Sequence, residues 1–445
     1  MRHNFIFFCN STYNSFAFKR AKFSFFEGLN MKKLKGLLLG IMAVCFAVVF
    51  AACGGGDSEA SSDSPREICG ERAYHNYIDG KCDNCEKEVT PTEYFTFSET
   101  KVNEEKGYEI SAVKGSLPVD VVLPDYYKKK AVLSIRQYAF SDEWMTSITI
   151  PDTVTLIGSY AFSSCDSLTS ITIPDSVTSI EDAAFSCCSK LMSITVDPEN
   201  KNYQSINGDL YDKNRKSLIQ YAIGKTDETF KIPDSVISIG GKAFGECFSL
   251  RIVTIGNNVT SIGELAFSGG KSLTSMIIPD GVTSIGEGVF AECFSLTSVT
   301  IPDSVTSIGK GAFMKCFSLT SVTIPDSVIS IGEDAFGVCG SLTSITIPDS
   351  VTTIYNGAFC YCDSLTSITI PDSVRSIQNS AFKGCSNLTS VYYKGTVGEW
   401  NKISIDSRLN TELTNATRYY YSETEPTESG NYWHYDKNGQ IVVWE

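Results

Sequence analysis

The sequence predicts a mainly β solenoid of about ten stacked coils, and three observations lead to this prediction. Prolines recur at intervals of 23 residues over most of the span from Pro151 to Pro371, and phenylalanines follow the same rhythm. Between Phe313 and Phe336, the apolar residues are separated by steps of 3, 3, 3, 2, 4, 3 and 5 residues. These steps match neither the 3.6-residue period of a helix nor plain alternation. A proline in nearly every repeat also excludes a continuous helix.

Each repeat is predicted to form one turn of a coil. A representative repeat is Ser318–Gly340, SLTSVTIPDSVISIGEDAFGVCG. The step of two between Val322 and Ile324 predicts a short strand, and the steps of three and four predict corners around a narrow core. A single coil cannot bury its own apolar side chains. We therefore expect the coils to stack, with parallel strands about 4.8 Å apart.

The repeated pattern L-x-x-I-x-I-P, followed by an A-F-x-x-C segment, resembles the BspA-type leucine-rich repeats of bacterial surface proteins. The resemblance covers about residues 121–393. It implies a leucine-rich-repeat solenoid with a strand in each coil. It also implies a surface protein that binds host or bacterial macromolecules.

The solenoid is assigned to residues 131–395, between an N-terminal cap at 91–130 and a C-terminal β cap at 396–445. One long unit, residues 197–231, is predicted to be an irregular coil with a protruding hairpin. In the C-terminal cap, Asn431–Gly439 and Ile441–Trp444 predict two strands joined by an Asn-Gly turn. The aromatic residues of this block either cover the last coil or form a platform for sugar or choline-like groups.

Cysteines occupy one position of the repeat in eight coils, and Gly270 occupies it once. These cysteines are Cys165, Cys188, Cys247, Cys293, Cys316, Cys339, Cys362 and Cys385. A ladder of disulfides or metal ions is one interpretation. We favour core packing, because a free cysteine is a small apolar residue that suits a tight corner.

A stripe of hydroxyl groups is predicted on the outer face of the strands. If Ile171 and Ile173 point inward, Ser170 and Thr172 point outward. Such a stripe is either an ordinary solvated sheet surface, because threonine favours strands, or a broad binding face. The candidate binding residues are Ser298, Thr300, Ser321, Thr323, Ser344, Thr346, Ser367 and Thr369.

The N-terminal region resembles a bacterial lipoprotein signal. A basic head, MKKLK, precedes an apolar run at Gly36–Ala52, and Cys53 follows a pair of small residues. The resemblance implies that Cys53 is acylated, so that the protein is exported and lipid-anchored at the cell membrane or surface. An uncleaved membrane anchor and a cleaved, secreted chain are the alternatives. The assigned segments are a mis-annotated extension at 1–30, a lipoprotein signal peptide at 31–52 and a flexible tether at 53–66.

A small Cys/His module is predicted at residues 67–90. Cys69, His75, Cys82 and Cys85 lie within 17 residues, and two of them form the C-x-x-C spacing that can hold one zinc ion. A structural zinc is one interpretation, and a disulfide from Cys85 to Cys82 or Cys69, which export would permit, is another. The module could also form neither. A catalytic zinc is not expected, because all four ligands would be used. No other cofactor is required.

Composition limits the function. A net charge of −14 argues against nucleic acid as a partner. Histidine occurs only at His3, His75 and His434, and no G-x-S-x-G, H-E-x-x-H or phosphate-loop motif is present, so no enzyme is expected. We predict a cell-surface interaction or adhesion protein that binds a protein or glycan through the solenoid and contacts the membrane only through its lipid. An envelope scaffold without a ligand, or carbohydrate binding by the C-terminal block, is the alternative.

Overall fold

The structure, a computed structural model, describes residues 74–85, 87–406 and 409–444. Within these ranges, no helix is both long enough and apolar enough to cross a membrane. The predictions for the extension, the signal peptide, the tether, Cys53 and Cys69 lie outside the described residues. The fold is mainly β, and it is a solenoid of parallel-strand coils, as the sequence predicts.

The described chain begins with a small hairpin and a cap. Strands β1 (Tyr77–Ile78) and β2 (Lys81–Cys82) pair antiparallel. A 3-10 turn at Thr92–Tyr94 leads into a longer antiparallel hairpin, which contacts the first coil through the rings of Phe95 and Phe140, 6.3 Å apart. The strands of the cap and its junction are β3 (Phe95–Val102), β4 (Glu105–Ala112), β5 (Asp120–Val122), β6 (Tyr126–Tyr127) and β7 (Lys130–Ile135).

Most coils contribute two short strands. In chain order, these are β8 (Ser147–Thr149), β9 (Leu156–Ile157), β10 (Ser170–Ile173), β11 (Ser179–Ile180), β12 (Ser193–Val196), β13 (Tyr203–Ile206), β14 (Asp209–Asp212), β15 (Ser217–Gln220), β16 (Thr229–Lys231), β17 (Ser238–Ile239), β18 (Ile252–Thr254), β19 (Ser261–Ile262), β20 (Ser275–Ile277), β21 (Ser284–Ile285), β22 (Ser298–Thr300), β23 (Ser307–Ile308), β24 (Ser330–Ile331), β25 (Ser344–Thr346), β26 (Thr353–Ile354), β27 (Ser367–Ile370), β28 (Ser376–Ile377) and β29 (Ser390–Tyr393).

The strands form two sides of the solenoid. On the first side, equivalent residues of successive coils pair in parallel, for example Ile345 with Ile368. On the second side, two-residue strands pair in the same way, for example Ile308 with Ile331. The sequence predicts only the first of these strands. The strand predicted at Val322–Ile324 is not formed, although Thr320 N still donates to Thr297 O of the previous coil at 3.4 Å.

The third side holds the Ala-Phe segment and has no strand. Its phenylalanine rings stack from coil to coil, with centroids 5.2 Å apart for Phe313 and Phe336. The backbone is linked in the same direction, because Phe313 N donates to Ala335 O at 2.8 Å. Since these rings and alanines are fully buried, the column closes the core on this side.

The long coil contains the predicted hairpin, formed by β13 and β14. The hairpin does not protrude, because β14 pairs with β15 and β15 pairs in parallel with β17 on the second side. Tyr211, Leu218 and Tyr221 are buried, as predicted, whereas Tyr203 and Ile206 are partly buried. The buried apolar residues form two clusters that meet in this coil, between Leu210 and Tyr211.

The coil geometry continues past Thr396, where the sequence repeat ends. Strand β30 (Ser404–Ile405) pairs in parallel with β28, and β31 (Thr417–Tyr421) pairs with β29. Two short helices that the sequence does not predict occur here. The predicted C-terminal hairpin is present as β32 (Tyr432–Tyr435) and β33 (Ile441–Val443). The elements are α1 (Val397–Trp400), β30 (Ser404–Ile405), α2 (Thr411–Asn415), β31 (Thr417–Tyr421), β32 (Tyr432–Tyr435) and β33 (Ile441–Val443).

Candidate functional site

The hydroxyl stripe lies on the first side of the solenoid. The side chains between the hydroxyl residues, such as Val299 and Ile345, are buried, which turns their neighbours outward. Six of the predicted residues are exposed: Ser298, Thr300, Ser321, Thr323, Ser344 and Thr346. This part of the face presents hydroxyl groups without charge.

The last predicted pair is not on the open face. Thr369 is only 2% exposed and Ser367 is half-buried, so the prediction that both are exposed is wrong. In the next strand, Tyr392 is the register partner of Thr369, and its ring lies 5.6 Å from that of Trp433 in the C-terminal hairpin. The Trp433 indole Nε1 donates to Tyr393 O at 3.0 Å. The C-terminal hairpin therefore covers this end of the stripe.

Two isoleucines interrupt the stripe in its middle. Ile252 and Ile277 occupy outward positions that hold serine or threonine in most other coils, and they are 47% and 70% exposed. Core packing does not require an apolar residue at either position. The sequence alone carries this signal, because both isoleucines depart from the serine or threonine of the repeat pattern.

An aromatic ladder, which we define as Phe248, Lys271, Phe294 and Phe317, occupies the position directly after the cysteine column in four successive coils. The rings of Phe294 and Phe317 are 4.9 Å apart. Lys271 Nζ lies 4.7 Å from the ring centroid of Phe248 and 5.6 Å from that of Phe294. Phe248 and Phe317 are exposed and Phe294 is half-buried. Aromatic faces and a cation are thus presented together at coil spacing.

The N-terminal module brings together three of the four predicted metal ligands. The ligand atoms of His75, Cys82 and Cys85 all lie within 4.8 Å of one another. His75 and Cys82 are buried, whereas Cys85 is exposed and carries a free thiol. Among the described residues, no other group of three histidine, cysteine or acidic side chains is close enough to hold a metal ion.

Asp125 links this cluster to the solenoid. Its Oδ2 lies 2.8 Å from His75 Nδ1 and 2.6 Å from Lys87 Nζ, and its Oδ1 accepts from the Tyr77 hydroxyl at 2.6 Å. Burial raises the pKa of Asp125, but the hydrogen bonds from Lys87 and Tyr77 outweigh burial and hold the pKa below its ordinary value. Burial and the bond to Asp125 raise the pKa of Tyr77. Asp125 was not among the predicted site residues.

The C-terminal aromatic block is divided between core and surface. Trp433 is fully buried, which fits a cap over the last coil. Tyr421 and Tyr435 are partly exposed to solvent. The rings of His434 and Trp444 stack with their centroids 4.0 Å apart. His434 Nδ1 lies 3.0 Å from the carbonyl oxygen of Tyr435, a neighbour that provides no acid or base.

Stacked coils with paired parallel strands and inward leucine, isoleucine and phenylalanine define a leucine-rich-repeat protein. The chain belongs to the family of the BspA type leucine rich repeat region, whose model matches residues 133–223, 220–318 and 306–417 in six copies. The match extends beyond Thr396, in agreement with the coil geometry there. No curated protein matches the chain.

Several solved structures of bacterial leucine-rich-repeat proteins are similar. One from Eubacterium ventriosum is 26% identical, with a TM-score of 0.51, and the match covers 66% of this chain and 94% of that chain. A leucine rich cell surface protein from Faecalibacterium prausnitzii is 28% identical, with a TM-score of 0.40 and coverage of 70% and 97%. One from Bacteroides ovatus is 27% identical, with a TM-score of 0.34 and coverage of 74% and 98%.

Proposed function

We propose that the chain is a non-enzymatic surface protein that binds a partner protein through the open part of the first side and the adjoining aromatic ladder. The observation behind the proposal is that apolar and aromatic side chains stand outward in a few consecutive coils. Their counterparts in most other coils are polar or small. Clustered exposed apolar groups on a soluble surface are typical of interaction sites.

Energetics supports a protein partner. Burying a fully exposed isoleucine contributes about 1.5–3 kcal/mol. Because Ile277 is 70% and Ile252 is 47% exposed, covering them would contribute about two thirds and about half of that amount. The exposed hydroxyls of Ser298 and Thr300 lie in the strand beside Ile277 and can form hydrogen bonds at the rim of the same interface. Two aliphatic side chains surrounded by hydroxyl groups are therefore suited to contact the surface of a partner protein.

A glycan is a second candidate, and the ladder is the observation that favours it. The neighbouring, mutually tilted rings of Phe294 and Phe317 offer the apolar surface on which sugar rings pack, and Lys271 adds a cation beside Phe294. A protein partner and a glycan partner can be distinguished by the treatment that abolishes binding. Protease treatment of the partner preparation abolishes binding in the first case, and periodate oxidation of glycans abolishes it in the second.

The test uses the purified full chain and measures saturable binding to extracellular-matrix and bacterial-envelope preparations. We expect Ile277→Thr and Phe317→Ser to lower the affinity at least tenfold. Ile329→Thr is the matched control, because Ile329 is 63% exposed but precedes the strand of the second side. Equal affinity of all three variants and the parent chain would contradict the proposed surface. Absence of saturable binding would favour a scaffold without a dedicated ligand.

Lipid anchoring at Cys53 is part of the proposal. The basic head, the apolar run and the small residues before Cys53 support it, together with membership of the BspA-type family. In cells fed a palmitate analogue, the parent chain should be labelled and Cys53→Ala should not. Undiminished labelling of Cys53→Ala would contradict acylation at this residue. Protease shaving of intact cells then measures whether the repeats reach the outer surface.

A further inference from the structure

We propose that His75, Cys82 and Cys85 bind one zinc ion and that Asp125 positions His75 for this role, so that zinc binding fastens the N-terminal module to the first end of the solenoid. This inference does not depend on the proposed binding function. It is based on the described cluster and on an unusual aspartate in the repeat.

The cluster is nearly assembled. In a tetrahedral zinc site, bonds of about 2.0 Å to nitrogen and about 2.3 Å to sulfur place the ligand atoms roughly 3.3–3.8 Å apart. The three ligand atoms here lie within 4.8 Å of one another, so closure requires a movement of only about 1 Å. Cys82 ends β2, and the following turn brings Cys85 back beside it. Because Cys85 is exposed, a metal ion can enter from that side.

Asp125 is the second, independent observation. Strand β5 pairs with β8 so that Val121 is the register partner of Ile148, which makes Leu123-Pro124-Asp125 equivalent to Ile150-Pro151-Asp152. Asp152 and the other aspartates of this column are exposed, whereas Asp125 is only 5% exposed. The N-terminal module covers it and supplies all three groups that bond its carboxylate.

The bond to Asp125 also orients the imidazole. A carboxylate accepts, so His75 Nδ1 carries the proton of the 2.8 Å bond, and Nε2 keeps its lone pair for a metal. A carboxylate behind a histidine is the usual arrangement at zinc, where it fixes the ring and strengthens the ligand. Two thiolates and an imidazole favour zinc over magnesium or calcium, which prefer oxygen ligands.

Metal analysis of the purified full chain, prepared with reduced thiols and incubated with zinc, tests the site. We expect a single tightly held zinc ion per chain. Replacement by Co²⁺ should produce thiolate charge-transfer absorption and the visible bands of a tetrahedral ion. Cys82→Ser and Cys85→Ser should each weaken zinc binding and the charge-transfer band, and the double variant should lose both signals. Cys360→Ser is the matched control, because Cys360 is a partly exposed cysteine outside the cluster, and this variant should keep them.

Asp125→Asn tests the positioning role. Zinc affinity, measured by competition with a chelator, should fall about 10- to 100-fold, while circular dichroism of the solenoid stays unchanged. Unchanged affinity would remove Asp125 from the proposal.

The existence of the zinc site can be tested even if Cys82→Ser fails to fold. Cys85→Ser then provides the test, because the Cys85 side chain is exposed. The site is contradicted if the reduced chain holds no zinc, if the Cys82→Ser/Cys85→Ser double variant retains it, or if Cys85 is disulfide-bonded in chains isolated with thiols blocked.

Discussion

The thiol of Cys316 donates a hydrogen bond to the carbonyl oxygen of Phe290, one coil earlier, at 3.2 Å. Equivalent bonds run from Cys339 to Phe313 and from Cys385 to Phe359. The position therefore needs a small, buried group that can donate a weak hydrogen bond, and cysteine meets both requirements. The predicted inward packing of the cysteine column is confirmed, because all eight side chains are buried.

Cys316→Ala should destabilise the solenoid by about 1–2 kcal/mol, because it removes a buried sulfur and leaves the Phe290 carbonyl without that donor. The measurement is the midpoint of urea unfolding followed by circular dichroism. Cys360→Ala is the control, since this side chain is partly exposed, and it should change the midpoint by less than half as much. Equal shifts of the midpoint in both variants would show that the hydrogen bond from Cys316 to Phe290 does not contribute measurably to stability.

Alkaline pH should destabilise the fold. Burial raises the pKa of Cys293 and Cys339 to about 12, against an ordinary value of 9.0 in the unfolded chain. The unfolded state thus loses thiol protons first, and the stability that these thiols contribute is full below pH 9 and declines as the pH rises toward 12. Burial raises the pKa of Tyr211 and Tyr221, which act in the same direction.

Thermal unfolding between pH 8 and pH 11 measures this dependence. The double variant Cys293→Ala/Cys339→Ala should show a shallower decline than the parent chain. A parallel decline in both proteins would assign the alkaline loss to other groups.

Gly270→Ala should stabilise the chain by about 0.5–1 kcal/mol. Gly270 replaces cysteine in its coil, and a small cavity lined by Phe244, Cys247 and Leu273, among others, is found there. A Cβ at Gly270 would lie 3.6 Å from Cys293 Sγ and 3.0 Å from Phe267 O. The second contact is tight, but the other coils accommodate a cysteine Cβ in the same turn.

Gly309→Ala is expected to have the opposite effect to Gly270→Ala. A Cβ there would lie 2.7 Å from the carbonyl carbon of Gly286, which is backbone and cannot give way easily. We expect a loss of about 1–3 kcal/mol. Urea midpoints of the two variants should move in opposite directions, and a shift in the same direction would contradict the explanation.

Trp433→Ala should release the C-terminal hairpin, since the side chain is fully buried and its loss costs about 3–5 kcal/mol locally. Hydrogen exchange should accelerate in β32 and at Thr369, and remain slow in the coils before Pro302. Trp433→Phe keeps most of the apolar contact but loses the bond to Tyr393, so we expect an effect of about 1 kcal/mol. Unchanged exchange at Thr369 in Trp433→Ala would show that the hairpin is not what covers this residue.

Cys69 is the fourth zinc ligand predicted from the sequence. If it completes the site, Cys69→Ser should lower zinc affinity at least tenfold and weaken the thiolate charge-transfer band of the Co²⁺ form by about one third, because one of three sulfurs is lost. Full affinity and an unchanged spectrum would indicate that water or another group occupies the fourth position.

The repeat made the fold predictable. Inward positions such as Ile171 and Leu319 are set by packing, and packing is the same in each coil, so spacing alone identified them. The second strand was missed because a two-residue Ser-Ile segment, as at Ser330–Ile331, is too short to show alternation. The coil after Thr396 was missed because Trp400, on a short helix, fills the core in place of the usual residues.

The sites were less predictable because they depend on contacts between distant segments. His75, Cys82 and Cys85 were identified from spacing, but nothing in the local sequence connects them with Asp125, 50 residues after His75. Thr369 is likewise flanked by residues from far along the chain, because its register partner Tyr392 packs against Trp433 of the C-terminal hairpin. Spacing finds the ligands of a site, whereas the groups that orient or cover them require the folded chain.

The parallel register of identical residues has a genetic consequence. Removal of Ser318–Gly340 would place Ser341 directly after Phe317, and the junction would read as before, because Ser318 and Ser341 begin equivalent repeats. Unequal recombination within the gene can therefore add or delete whole coils without creating an unfamiliar interface. Variants of different coil number would hold the aromatic ladder at different distances from the C-terminal hairpin. Selection could therefore adjust this distance in steps of one coil.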